Sequence, residues 1–244
     1  DSGRFSIDLT IADIEELNRM ALRRELDISK VSSYAACLVQ EHYRLLDAGA
    51  AVGKNCGPLL VARENEPDLL LPDARVGIPG RHTTAHLLYS LYSNNRGTKE
   101  FMPFNRIMPA LSQGLIELGV IIHEGRFTYG SYGLQEVADL GVWWEGLPGL
   151  PIPLGGILAR RTLPPAAISE FTAALRESIL KSSAEKGNTN APLYNFIRQH
   201  AQEMEAGVIN RHIDLYVNEH SLSLAGEGNR AFEKLFSLAE GLSP

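Results

Sequence analysis

Apolar and polar positions along the chain alternate between strand-like and helix-like spacing. Phe5, Ile7, Leu9 and Ile11 alternate with polar residues, which predicts a strand with one buried face. Asp13 then caps a predicted helix in which Glu16 completes a capping box and Ile14, Leu17, Met20 and Ala21 form the apolar stripe. A short strand through Ile28 runs into Ser29, Lys30, Val31, Ser32 and Ser33 before an apolar helical stretch. Residues 43–46 predict another strand, residues 48–57 a glycine-studded loop and residues 57–63 a strand. The polar, proline-bearing residues 64–73 read as a crossing between lobes.

The pattern then restarts. Residues 75–78 predict a short strand, Pro79 and Gly80 a turn, and a helix begins near Thr83 with Leu87, Leu88 and Leu91 inside. Residues 98–104 read as a strand and 105–113 as a helix that tolerates Pro109 in its first turns. Gly119, Val120, Ile121 and Ile122 predict a strand buried on both faces. Residues 151–160 return across the boundary as a strand, and from Pro164 onward the spacing is helical, with residues 186–190 as a polar link.

Several chemistries ride on these elements. His123 stands at the carboxyl end of its predicted strand, the edge where open α/β sheets bind ligands, and imidazole moves protons near neutral pH. Two readings of His123 stay open: a general base, or a structural residue bonded to a loop carbonyl. Lys30, Ser32 and Ser33 at a helix start suit an anion, or Ser32 or Ser33 is simply an N-cap. Thr83 and Thr84 form a second candidate cradle, offering hydroxyls beside free backbone N–H groups, the donors a carboxylate wants. His82 and His86 are four apart, yet no third ligand of a metal motif lies near them. Cys56 reads as packed rather than reactive, and Phe127, Tyr129, Tyr132, Trp143 and Trp144 as core or lobe-to-lobe packing.

Composition narrows the classes. The 244 residues suffice for one large domain or two small ones. A net charge of −6 with scattered lysines and arginines argues against nucleic-acid binding. No apolar run approaches the roughly 20 residues of a membrane-spanning helix. Two cysteines fit a reducing, cytoplasmic compartment. The sequence opens at Asp1 without a methionine.

Ten segments in order carry a specific likeness: IEELNRMAL, DISKVS, CGPLLVAR, IPGRHTTAHLL, MPFNRIMPAL, GVIIHEGRFTY, LGVWWE, GLPIPLGGILARR, HAQEM and YVNEHSL. Together they closely resemble the 1,4-dihydroxy-6-naphthoate synthases of the futalosine route to menaquinone. The resemblance implies an α/β fold like the type II periplasmic binding proteins: two lobes joined by two crossing strands, with the ligand in the cleft and a helical C-terminal region. Lobe 1 would comprise residues 1–66 and 155–244, and lobe 2 residues 67–154.

By the same resemblance His123 matches the family's proton acceptor, Lys30, Val31 and Ser32 the first substrate-binding segment, and Thr84 and Ala85 the second. Ser33 and Tyr34 depart from the family, where an aromatic followed by a small residue is common. The family also carries an earlier strand and a Ser-Pro-Cys-Pro-Asn-Asp-like loop with no counterpart here, which implies a first-lobe sheet short of one strand. The implied reaction is a cofactor-free, metal-free carbon–carbon cleavage of cyclic dehypoxanthinylfutalosine, a small carboxylate-bearing substrate. It releases 1,4-dihydroxy-6-naphthoate and a three-carbon sugar fragment. A chorismate dehydratase-like enzyme of the same architecture and a non-catalytic solute-binding protein are the alternative readings.

Overall fold

The computed structural model of the protein describes residues 6–63, 73–147, 149–185, 188, 192–200 and 206–241. Its strands are β1 (Ile28–Ser32), β2 (Tyr43–Leu45), β3 (Ala51–Gly53), β4 (Leu59–Arg63), β5 (Arg75–Ile78), β6 (Thr98–Phe101), β7 (Leu118–Ile121), β8 (Leu134–Asp139) and β9 (Ile152–Arg160). Helices α1 (Ile14–Leu22), α2 (Ser33–Leu38), α3 (Thr84–Tyr92), α4 (Phe104–Ser112), α5 (Gly125–Thr128) and α6 (Leu140–Gly146) are interspersed with them. Five helices complete the C-terminal region: α7 (Pro165–Ala184), α8 (Pro192–His200), α9 (Ala206–Tyr216), α10 (Glu219–Leu222) and α11 (Glu227–Ala239).

The first sheet is built around β9, which pairs antiparallel with β1 on one side and with β2 and β3 on the other. The second sheet has the order β6-β5-β7-β4-β8, with β5 parallel to β6 and β7, and β4 antiparallel to β7 and β8. β4 therefore belongs to the second sheet, whereas a lobe boundary at residue 66 assigns it to the first. The strand begins just after Gly57 and Pro58, with Leu59 opposite Ile121 of β7. The anticipated crossing at residues 64–73 lies outside the described residues apart from Asp73, and the polar link contributes only Asn188 to them.

β7 is the centre of the second sheet and is buried along its whole length, as its unbroken apolar run predicts. Above it packs α4, whose Ile107 and Leu111 are fully buried. A Cβ on Gly119 would come within 2.5 Å of Ile107 Cγ2, so this glycine sets how closely the helix lies on the sheet. The largest core cluster joins Trp144, Leu118 and Val120 to Leu235 and Ala239 of α11, so the C-terminal helices close onto the same interior. The Trp144 indole N–H donates to the Pro151 carbonyl at 3.1 Å, which satisfies its polar edge at no exposure.

The alternating run before α1 is not a strand. Residues 6–12 carry no regular structure, and Ile7, Leu9 and Ile11 are 64%, 68% and 55% exposed. Phe5 lies outside the described residues. A strand exists only as a member of a ladder, and among the described residues no other strand runs beside this segment. α1 does begin at Asp13, whose carboxylate accepts the Glu15 N–H at 2.9 Å. The reciprocal capping box is not formed, because Glu16 turns to Arg19 and Arg23 at 3.1 and 3.0 Å. Among the described residues no helix is long and apolar enough to cross a membrane.

Candidate functional site

A cleft of about 130 Å³ opens between the two sheets. All six residues singled out in the sequence line it: Lys30, Val31 and Ser32 from β1, Thr84 and Ala85 from the start of α3, and His123 beyond β7. Tertiary structure thus brings together three segments separated by tens of residues. Tyr216, at the end of α9, and the Gly57–Pro58 turn also face the cleft, although the sequence placed Tyr216 only in the helical C-terminal region.

His123 follows the last residue of β7 by two positions and holds a left-handed backbone, φ 56°. A non-glycine residue in that region is sterically costly and recurs where a side chain must be aimed at a site. The turn throws the imidazole against Phe104, with ring centroids 5.0 Å apart at 73°, an edge-on packing that fixes the ring plane. Arg126, one turn further on, is committed elsewhere: it donates to the Gly57 carbonyl at 2.7 Å and pairs with Asp139 at 2.5 Å. Those bonds tie the short helix after His123 to the cleft floor.

The second cradle differs from the expectation in its chemistry. Thr83 Oγ1 donates to the Gly80 carbonyl at 2.8 Å and accepts the His86 N–H at 3.2 Å, capping α3. Thr84 Oγ1 donates to the Leu154 carbonyl at 2.8 Å. Both hydroxyls therefore donate to backbone carbonyls in this structure. What remains for a ligand is backbone: the first N–H groups of a helix have no intrahelical acceptor, and the α3 terminus carries them beside the cleft.

The first cradle is a strand end. Ser32 occupies the N-cap position of α2 but makes no side-chain cap. Lys30 reaches into the cleft with accessible surface, yet enough protein surrounds it that desolvation lowers its ammonium pKa. A bound anion would favour the charged form again.

Behind this wall lies a polar cluster that sequence reading missed. Glu15 and Asn18 are buried although they fall between the apolar positions of α1. Glu15 accepts the His82 N–H at 3.0 Å and faces His82 Nδ1 at 2.8 Å. Burial pushes the Glu15 carboxyl up, but the bonds from the His82 side chain and backbone outweigh it and hold the group below the ordinary carboxylate range. Gly80 leaves room for this carboxylate, since a Cβ there would meet Glu15 Oε2 at 2.5 Å. The only sequence signal was a polar pair three residues apart on a helix face, which by itself reads as solvated.

His82 and His86 do not converge on a common point, for His86 Nδ1 lies 2.7 Å from the Arg81 carbonyl. Among the described residues no group of three histidines, cysteines or carboxylates could hold a metal ion. Cys56 lines the cleft at 1% exposure, and burial, with Glu145 nearby, pushes its thiol up to about 12, so it is packed and protonated.

Comparison with known proteins places this geometry. A 1,4-dihydroxy-6-naphthoate synthase of Thermus thermophilus is 43% identical over 238 residues, covering 96% of this chain and 84% of its own. That of Streptomyces coelicolor is 41% identical over 249 residues, covering 99% and 86%. The crystal structure of protein AF1704 from Archaeoglobus fulgidus superposes with a TM-score of 0.88 at 34% identity, covering 95% of this chain and 85% of that one. The periplasmic aliphatic sulphonate binding protein SsuA from Escherichia coli superposes at 0.61 with 13% identity, covering 93% and 74%. The fold is therefore that of the periplasmic binding proteins, two α/β units around a cleft. With residues 2–241 matching the menaquinone biosynthesis family, the cleft and its three converging segments belong to a protein of that family.

Proposed function

We propose that the protein is a 1,4-dihydroxy-6-naphthoate synthase, a carbon–carbon lyase that cleaves cyclic dehypoxanthinylfutalosine in the cytoplasm without a cofactor. The observation that carries this reading is the convergence of His123, Lys30, Ser32 and the α3 N-terminus on one cleft. The identities of 43% and 41% to the two named synthases support it.

In this reading the substrate carboxylate or ring oxygens sit on the Thr84 and Ala85 N–H groups and the Ser32 hydroxyl, with Lys30 supplying positive charge. Thr84 contributes its amide and, through Leu154, the link that keeps α3 against the first sheet. His123 removes a hydroxyl proton from the sugar-derived ring. The alkoxide collapses to a carbonyl, the adjacent carbon–carbon bond breaks toward the bicycle, and aromatisation draws the cut forward. General-base assistance of this kind supplies about 10²–10⁴-fold. The two sheets form two lobes with the Gly57–Pro58 turn and β9 as crossings, and closure excludes water from the base.

The test incubates full-length wild type and His123→Asn with cyclic dehypoxanthinylfutalosine and follows the naphthoate by chromatography. Product from wild type and a drop of at least about 100-fold in the variant is the expected result. Folded wild type that binds the compound without turning it over would instead mark a solute-binding protein.

A further inference from the structure

Asn18 is fully buried one layer behind the cleft and grips Ser32 from both sides. Its Oδ1 accepts the Ser32 N–H at 2.9 Å, and its Nδ2 donates to Ser32 Oγ at 3.1 Å. The same Nδ2 faces the His82 carbonyl at 3.3 Å and Glu15 Oε2 at 3.4 Å. Three acceptors therefore surround Nδ2 and one donor faces Oδ1, so the amide has a single satisfiable orientation. Flipping it would set Oδ1 against a carboxylate, a carbonyl and a hydroxyl oxygen, and Nδ2 against an N–H.

The consequence falls on Ser32. A serine hydroxyl carries one hydrogen and can donate once. Because Asn18 presents a donor to Oγ, that hydrogen cannot point back into the protein along this contact. Among the described residues Ser32 Oγ donates to no acceptor, while the residue itself lines the cleft. We propose that Asn18, held in place by Glu15 and the His82 turn, is a positioning residue that turns the Ser32 hydroxyl into an obligate donor toward the substrate oxygen. The Glu15–His82 contact extends the device across the cleft, since α1 packs on the first sheet and His82 lies just before α3 of the second. Asn18 thus fixes the proton direction of a cleft hydroxyl that it holds but does not replace.

This inference rests on Ser32 being a substrate contact, and a double-mutant cycle separates the two. Asn18→Asp keeps the shape but offers an acceptor to Oγ, so the Ser32 hydroxyl turns inward and its donor is lost to the substrate. KM and kcat for cyclic dehypoxanthinylfutalosine are measured for wild type, N18D, S32A and N18D/S32A, with Tm for each. We expect S32A and N18D each to raise KM about 10- to 100-fold, as for loss of a hydrogen bond to a charged group. The N18D effect on KM should vanish in the Ser32→Ala background, although its effect on Tm persists there. An equal N18D penalty in both backgrounds would make Asn18 merely structural and overturn the proposal. An unchanged KM in S32A would also overturn it, and would locate the failure in the assignment of Ser32 as a substrate contact. If the added carboxylate beside Glu15 prevents N18D from folding, N18A runs the same cycle, with a smaller rise in KM that is again expected to vanish in the Ser32→Ala background.

Discussion

Thr84 Oγ1 donates to the Leu154 carbonyl at 2.8 Å, joining the first residue of α3 to the central strand of the first sheet. The bond crosses between the two sheets at the wall of the cleft, and it gives the hydroxyl at this position a structural partner. Thr84→Val should destabilise the protein by about 1 kcal/mol, because it removes the side-chain donor from a part-buried carbonyl, whereas Thr84→Ser should retain most of the stability. Urea titration of the three proteins checks this, and equal loss in both variants would remove the hydrogen bond from the account.

At His123 the backbone itself makes a prediction, because φ is 56°. Asparagine adopts the left-handed region readily, so His123→Asn should lose activity with little change in Tm. A β-branched residue does not, and His123→Val should cost a further ~1–2 kcal/mol of stability on top of the same loss of activity. Thermal unfolding of the two variants side by side distinguishes side-chain chemistry from backbone strain.

Lys30 carries a pKa lowered from 10.5 by desolvation. Between the folded and unfolded values the unfolded chain binds more protons, so this group makes stability rise with pH toward the unfolded value. Lys30→Met should therefore raise Tm at neutral pH, flatten its rise on the alkaline side, and weaken substrate binding. A Tm unchanged by the substitution would mean that cleft water solvates the ammonium fully.

Glu15 has the opposite sign. Its folded pKa lies below the ordinary 4.5, so its contribution is complete above that value and is lost as pH falls through the folded pKa. Glu15→Gln should lower stability at neutral pH and remove part of the acid-side decline below about pH 4.5. Denaturant titrations from pH 3 to 7 give the comparison, and parallel curves for the two proteins would contradict it.

The two cysteines should resist alkylation in the native state. Cys56 is 1% and Cys37 8% exposed, and burial raises both thiol pKa values. Iodoacetamide at pH 8 followed by mass spectrometry should label them only after denaturation; rapid labelling of Cys56 in folded protein would show that the cleft floor opens.

The sequence by itself determined the elements whose pattern is unambiguous and the residues that segment likeness picks out. The apolar run of β7, the Arg75–Ile78 strand with its Pro-Gly turn, and the helix starting beside Thr83 all stand where periodicity and capping chemistry put them. His123, Ser32 and Thr84 stood out in the sequence because each sits at or just beyond the end of such an element, where side chains and N–H groups are left over from regular bonding, whereas Lys30 is the middle residue of β1. Tertiary structure alone decided which strands pair, and so moved β4 into the second sheet and left Ile7, Leu9 and Ile11 without a ladder. It also decided the roles of polar groups. Nothing local distinguishes Asn18 from a solvated helix residue or Thr84 from a ligand-binding hydroxyl, because a hydrogen bond is assigned by what lies opposite. For these residues the opposite partner is 14 and 70 positions away in the chain.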